Sequence, residues 1–180
     1  MRRARRMNRR HFSHCSRAGL RRCIIACFTL ALAAGGFPVR AQTPDFLDPR
    51  LLDPRVTQST IVDTICRPGY VDEVLPPFDD LMHEKEQLLK QRRIDPPSAS
   101  QYALDHRMPV LLGGSPTAQT NLDIRRWDGR GGQRSKERLT VFLKRCVCAG
   151  EMPLVRAQAA ISGDWATRFP NLSSLTCSGQ

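Results

Sequence analysis

The chain reads as a small α+β domain, mostly helical and stapled by disulfides. Three observations predict this. Apolar residues recur at helical spacing over 78–92, 136–146 and 153–165. Between the first two of these stretches lies a hairpin pattern: Leu104 to Leu112, the turn formers Gly113-Gly114-Ser115-Pro116, then Asn121-Leu122-Asp123-Ile124. Four cysteines remain once an N-terminal export signal is set aside, enough for two disulfides.

The signal comes first along the chain. Residues 1–41 hold ten arginines and no acidic residue. The Arg-rich stretch precedes an apolar run, Cys23 to Ala34, which Gly35, Gly36 and Pro38 break. Val39-Arg40-Ala41 then places small residues at −3 and −1 for cleavage before Gln42. The run is short for a membrane span, so no span is expected after signal removal, and the product is periplasmic or secreted. The formal charge of +11 follows the same division. Beyond residue 41, 18 of the 28 Lys and Arg face all 17 Asp and Glu, a net of +1. The high pI therefore describes the signal and gives no argument for a nucleic-acid binder. Removing 41 of 180 residues leaves 139, one modest domain.

Residues 42–58 carry Leu-Asp-Pro-Arg twice, at 47–50 and 52–55, and the prolines predict an extended arm. Residues 59–180 form the domain. Thr60 to Cys66 is rich in β-branched residues, and Pro68-Gly69 and Pro76-Pro77 are breaks. Phe78 to Arg92 predicts a helix with Leu81, Met82, Leu88 and Leu89 inward. Leu104 to Leu112 predicts the first strand, Gly113-Gly114 its turn, and Asn121 to Ile124 the second strand. Ser135 is the expected N-cap of a helix from Lys136 to about Cys146. Pro153 suits the first turn of a last helix, whose stripe is Leu154, Ala157, Ala160, Ile161 and Trp165.

The chemistry-bearing residues cluster in one ordered set: Leu104-Asp105-His106 with Pro109, then Leu112-Gly113-Gly114-Ser115-Pro116, then Asn121-Leu122. Further pieces extend it: Thr64-Ile65-Cys66-x-x-Gly69-Tyr70, then Lys136, Arg138-Leu139, Leu143, Val147-Cys148-x-Gly150-x-Met152, and Ala157-Gln158 to Asp164-Trp165. Over about 56–166 this order resembles small exported bacterial proteins with a degenerate HNH-type ββα-metal finger. The resemblance implies a finger at about 103–147. It implies His106 as general base, Asp105 as ligand of a divalent cation (Mg²⁺ or Mn²⁺), and Asn121 as the residue that organises the loop. Such a site would serve a secreted metal-dependent nuclease or phosphodiesterase, with the cation offsetting phosphodiester charge and a neutral imidazole activating water.

The third signature residue, a His or Asn at the start of the finger helix, falls here at Arg134. Arginine accepts neither a metal nor a hydrogen bond. Three consequences stand open. Asp105 alone holds Mg²⁺ with substrate oxygens and water; Glu137 supplies the missing oxygen; or Arg134, with Lys136, binds phosphate directly. The last case belongs to the alternative function, a non-catalytic phosphate- or polyanion-binding envelope protein with Arg125, Arg126, Arg130, Arg134 and Lys136 as a basic rim. In a blander reading the finger is only scaffold. Ser115 follows two glycines but lacks the nucleophile-elbow pattern.

The mature thiols are Cys66, Cys146, Cys148 and Cys177, which allow three connectivities. Positions 146 and 148 point to different sides of a helix and so take separate partners; Cys66 with Cys148 and Cys146 with Cys177 is the expected pairing, with the connectivity left open by the sequence. A zinc site is the rival, but Cys146-x-Cys148 lacks the two-residue gap of a zinc knuckle, and only His83 and His106 remain to help.

Overall fold

A computed structural model describes residues 47–178, which fall in one compact unit. The expected signal segment lies outside the described residues. Among the described residues, five α-helices, five short 3₁₀ turns and one two-stranded antiparallel sheet make up the regular structure, so the fold is α+β. In chain order the helices and strands are α1 (Tyr70–Val74), α2 (Phe78–Gln91), β1 (Tyr102–His106), β2 (Leu122–Arg126), α3 (Gln133–Cys148), α4 (Leu154–Ile161) and α5 (Trp165–Arg168). No helix among the described residues is long and apolar enough to cross a membrane.

Residues 47–58, within the stretch expected as an extended arm, pack onto the domain. Leu47 and Val56 are buried in the core, and Leu52 bridges to Gly114. The backbone N–H of Asp53 donates to the carbonyl of Gly113 at 2.9 Å, and that of Ser115 to Leu51 at 2.8 Å. Proline blocks helix and ladder, but it leaves the carbonyls and intervening side chains free to pack. The β-branched run 60–66 folds as consecutive turns, and it buries Ile61, Thr64 and Ile65.

α2 begins directly after Pro76-Pro77, with Asp79 and Asp80 in its first turn, where the helix dipole favours negative charge. It packs against both strands. β1 is shorter than the sequence pattern suggested, and β2 runs on to Arg126. β1 ends at His106, and the register pairs Leu104 with Ile124, Asp105 with Asp123 and His106 with Leu122. Residues 107–121 form a long connection with two 3₁₀ turns, Val110–Leu112 and Gln119–Asn121. Gly113-Gly114 is therefore not the hairpin turn. It is the place where the N-terminal segment lies against this connection. A Cβ on Gly114 would stand 1.8 Å from the carbonyl oxygen of Met108, so only glycine fits there.

α3 starts at Gln133, two residues before the expected Ser135 cap, and Gly132 takes the cap position. The backbone sets this boundary. A Cβ at Gly132 would meet Asp128 carbonyl atoms at 2.6–2.7 Å, and the N–H of Lys136 already bonds to the Gly132 carbonyl at 3.0 Å. Leu139, Leu143, Cys146 and Val147 of α3 face Ala157 and Ile161 of α4, Trp165 of α5, and Ile65, Met108 and Leu112. The last apolar stripe is split, since α4 ends at Ile161 and Trp165 opens α5 as a buried core residue.

Two disulfides close this core, Cys66–Cys148 and Cys146–Cys177. The expected pairing is the one that forms. On α3, Cys146 is fully buried while Cys148 is exposed, so their sulfur atoms serve opposite sides of the helix end.

Candidate functional site at the end of β1

β1, β2 and α3 converge at Asp105 and His106. Alternation along β1 buries Ala103 and Asp105 and leaves Leu104 and His106 partly exposed. Asp105 sits under α3 with 1% exposure. Both of its oxygens are engaged. Oδ1 accepts from Lys136 Nζ at 2.7 Å, and Oδ2 accepts from Arg125 Nε and Nη2, each at 2.9 Å. Arg125 also donates from Nη1 to the carbonyl of Gly131 at 3.1 Å, which ties the strand to the loop before α3.

Lys136 was expected on an exposed phosphate rim. It points inward instead, with 2% exposure. Its ammonium donates to Asp105 Oδ1 and the His106 carbonyl, both at 2.7 Å, and to the Arg107 carbonyl at 3.1 Å. Three N–H groups thus meet three oxygens, so the site matches the protonated amine. Burial draws the Lys136 pKa below the ordinary lysine value, and the Asp105 carboxylate opposes that pull.

This arrangement does not suit the cation that the sequence led us to expect at Asp105. The carboxylate faces two positive charges, and no group of three or more His, Cys, Asp or Glu among the described residues could hold a metal. Arg134 supplies no ligand. Glu137, the other candidate oxygen donor, is exposed and accepts from Gln133 Nε2 at 3.2 Å.

Asn121 is fully buried at the far end of the connection. Its Oδ1 accepts from the Met108 N–H at 2.7 Å, while Nδ2 donates to the carbonyls of Met108 at 3.0 Å and Ser115 at 2.8 Å. The Arg107 N–H adds a bond to the Asn121 carbonyl at 2.7 Å. One side chain thereby ties together both limbs of the loop that follows His106.

His106 is half-buried beside a shallow depression shared with Pro109, Leu111, Gln133, Glu137 and Val141. Its Nε2 lies 3.1 Å from the Pro116 carbonyl, which can only accept, so Nε2 carries the proton and Nδ1 is left as the ring's acceptor. Burial holds its pKa below the ordinary histidine value, against the opposing pull of the Pro116 carbonyl and Asp105. Near pH 6 the unfolded chain therefore binds more protons at this position than the folded chain does. Stability contributed by neutral His106 is present above the ordinary value of about 6.5 and falls as pH drops through it. Denaturant unfolding at pH 8 and pH 5 should show a smaller acid loss for His106→Gln than for the parent. An equal loss would place the acid sensitivity elsewhere.

The exposed cations sit on the other side of the helix start. Arg126 lies over the Tyr102 ring at 5.5 Å and donates to Gln101 Oε1 at 2.7 Å. Arg134 lies over Trp127 at 5.7 Å and pairs with Asp128. Gln101, Arg126, Trp127, Asp128 and Arg134 line one groove with Ser100, and Arg138 and Ser135 border a second groove beside it that also contains Arg134. Of the five expected rim residues, Arg126, Arg130 and Arg134 are exposed, whereas Arg125 and Lys136 are committed to Asp105.

Sequence reasoning missed the buried pair and the aromatic partners of the arginines. A signal for the former was present. Lys136, Leu139, Thr140, Leu143 and Val147 are all buried and share one helical stripe, so the period of the apolar face already placed position 136 inward.

Comparison of the chain with protein-family models, with curated proteins and with solved structures finds no match.

Proposed function

We propose that the protein is an exported, non-catalytic binding domain for phosphate-bearing polymers, built on a degenerate HNH-like finger that holds no metal. One observation carries this reading: Arg126 and Arg134 are exposed, each is steadied on an aromatic ring, and both line the same groove. A guanidinium presented this way loses less freedom when it binds a phosphate oxygen, which displaces Asp128 from Arg134 and Gln101 from Arg126. Trp127, which lines the groove, adds a surface on which a base could stack. The two disulfides agree with an oxidising compartment, periplasmic or extracellular.

A second reading, a weak nuclease, is favoured by His106 alone, because its tethered Nε2–H leaves Nδ1 able to take a proton. One experiment separates the two. Labelled single-stranded DNA and inorganic polyphosphate are titrated into the oxidised protein at several salt concentrations, with and without Mg²⁺ or Mn²⁺, and strand length is checked afterwards. Intact strands, affinity falling with salt, and roughly tenfold weaker binding by Arg126→Ala/Arg134→Ala are expected. Binding indifferent to salt and to these substitutions overturns the first reading. Cleavage abolished by His106→Ala establishes the second.

A further inference from the structure

The cage around Lys136 goes beyond the groove reading and does not depend on it. Two successive carbonyls, those of His106 and Arg107, and one carboxylate oxygen converge on a single point 2.7–3.1 Å away. Convergent backbone and carboxylate oxygens are the donor set of a hard-cation site. Here the cation is covalent, a buried ammonium delivered from α3.

We propose that Lys136 is a resident cation: its ammonium fills an oxygen cage at the end of β1, keeps metal ions out, and leaves behind a site for a monovalent cation of ammonium size when the side chain is removed. Charge supports the exclusion. Asp105 already faces Lys136 and Arg125, so a divalent ion would add two positive charges to a cluster with one excess already. Charge also selects what enters an emptied cage. Without Lys136, Asp105 and Arg125 cancel, and two carbonyl dipoles with a shared carboxylate suit a large, weakly hydrated monovalent ion better than a small divalent one. The ammonium also performs a fastening task, because it joins α3 to two consecutive residues at the end of β1. In this fold a side chain thus takes the place of a structural ion, and the fold requires no metal supply after export.

The test has two arms. In the first, the unaltered protein is melted in EDTA, in Mg²⁺ and in Mn²⁺, and bound Mn²⁺ is sought by electron paramagnetic resonance. An unchanged Tm and no bound Mn²⁺ are expected; a saturable Tm rise or a bound-Mn²⁺ signal lost in Asp105→Asn overturns the exclusion. In the second arm, Lys136→Ala is melted in ammonium or potassium chloride against tetramethylammonium chloride of equal ionic strength. A Tm roughly 10 °C below the parent is expected, partly restored by ammonium or potassium and not by tetramethylammonium. Equal response to all three salts overturns the latent site. If Lys136→Ala does not fold in tetramethylammonium chloride, ammonium or potassium chloride is expected to restore folding, and failure to fold in all three salts overturns the latent site. Neither arm reads polymer binding, so failure here and failure of the groove reading are distinguishable.

Discussion

Replacing Asp105 by Ala is expected to destabilise the domain by about 3–5 kcal/mol. Two cations lose their common partner at once. Lys136, with 2% side-chain exposure, cannot turn to water without leaving the core, and two backbone carbonyls do not neutralise its charge. Arg125, 30% exposed, relaxes more easily and contributes less. The size of the loss reflects an uncompensated buried charge and not the net value of the pair. The double substitution Asp105→Asn/Lys136→Met should therefore recover much of it, since a neutral amide beside an apolar chain of similar length leaves no buried ion. Guanidinium unfolding of the two variants checks both statements. A loss below 1 kcal/mol in Asp105→Ala, or a double variant no better than the single, would show that the ammonium is not charged and buried as described.

Breaking Cys66–Cys148 is the second large effect. This bond closes a loop of 82 residues, and Cys146–Cys177 closes one of 31. Loop-closure entropy gives about 4.5 kcal/mol for the first and about 3.5 kcal/mol for the second. Cys66→Ala/Cys148→Ala should lower the unfolding free energy by about 4 kcal/mol, and complete reduction should remove most of the 5–15 kcal/mol typical of a small domain. The first bond joins the turn segment that carries Ile61 and Ile65 to the end of α3, so its loss should also loosen the packing of that segment. Melting with and without reductant measures the combined effect. A reduced protein as stable as the oxidised one would show that the core alone holds the fold.

These expectations differ in where they could be read. The α+β class, the α2 and α3 stretches and the separate partners of Cys146 and Cys148 follow from local signals: helical spacing of apolar residues, prolines at the breaks, and two thiols two positions apart on one helix. Strand length did not follow in the same way. Leu104 to Leu112 has strand character throughout, yet β1 stops at His106 because Asn121 captures the backbone of Met108 and forces the chain into turns. That contact spans 13 positions and has no local signature. Likewise Gly113-Gly114 has the composition of a turn, and only the approach of residues 51–53 gives the pair its task.

By itself the sequence determined the class of fold, the helix faces, the separate partners of Cys146 and Cys148, and the grouping of Asp105, His106 and Asn121 in one ordered set. Periodicity and covalent spacing act over a few residues and leave a readable trace. Only the tertiary structure decided what the charged groups do. Asp105 meets Lys136 across 31 positions and Arg125 across 20, while Arg126 and Arg134 find aromatic rings and solvent. A charge is inexpensive in water and costly in a core unless partnered, so the fate of each depends on which residues the folded chain sets around it.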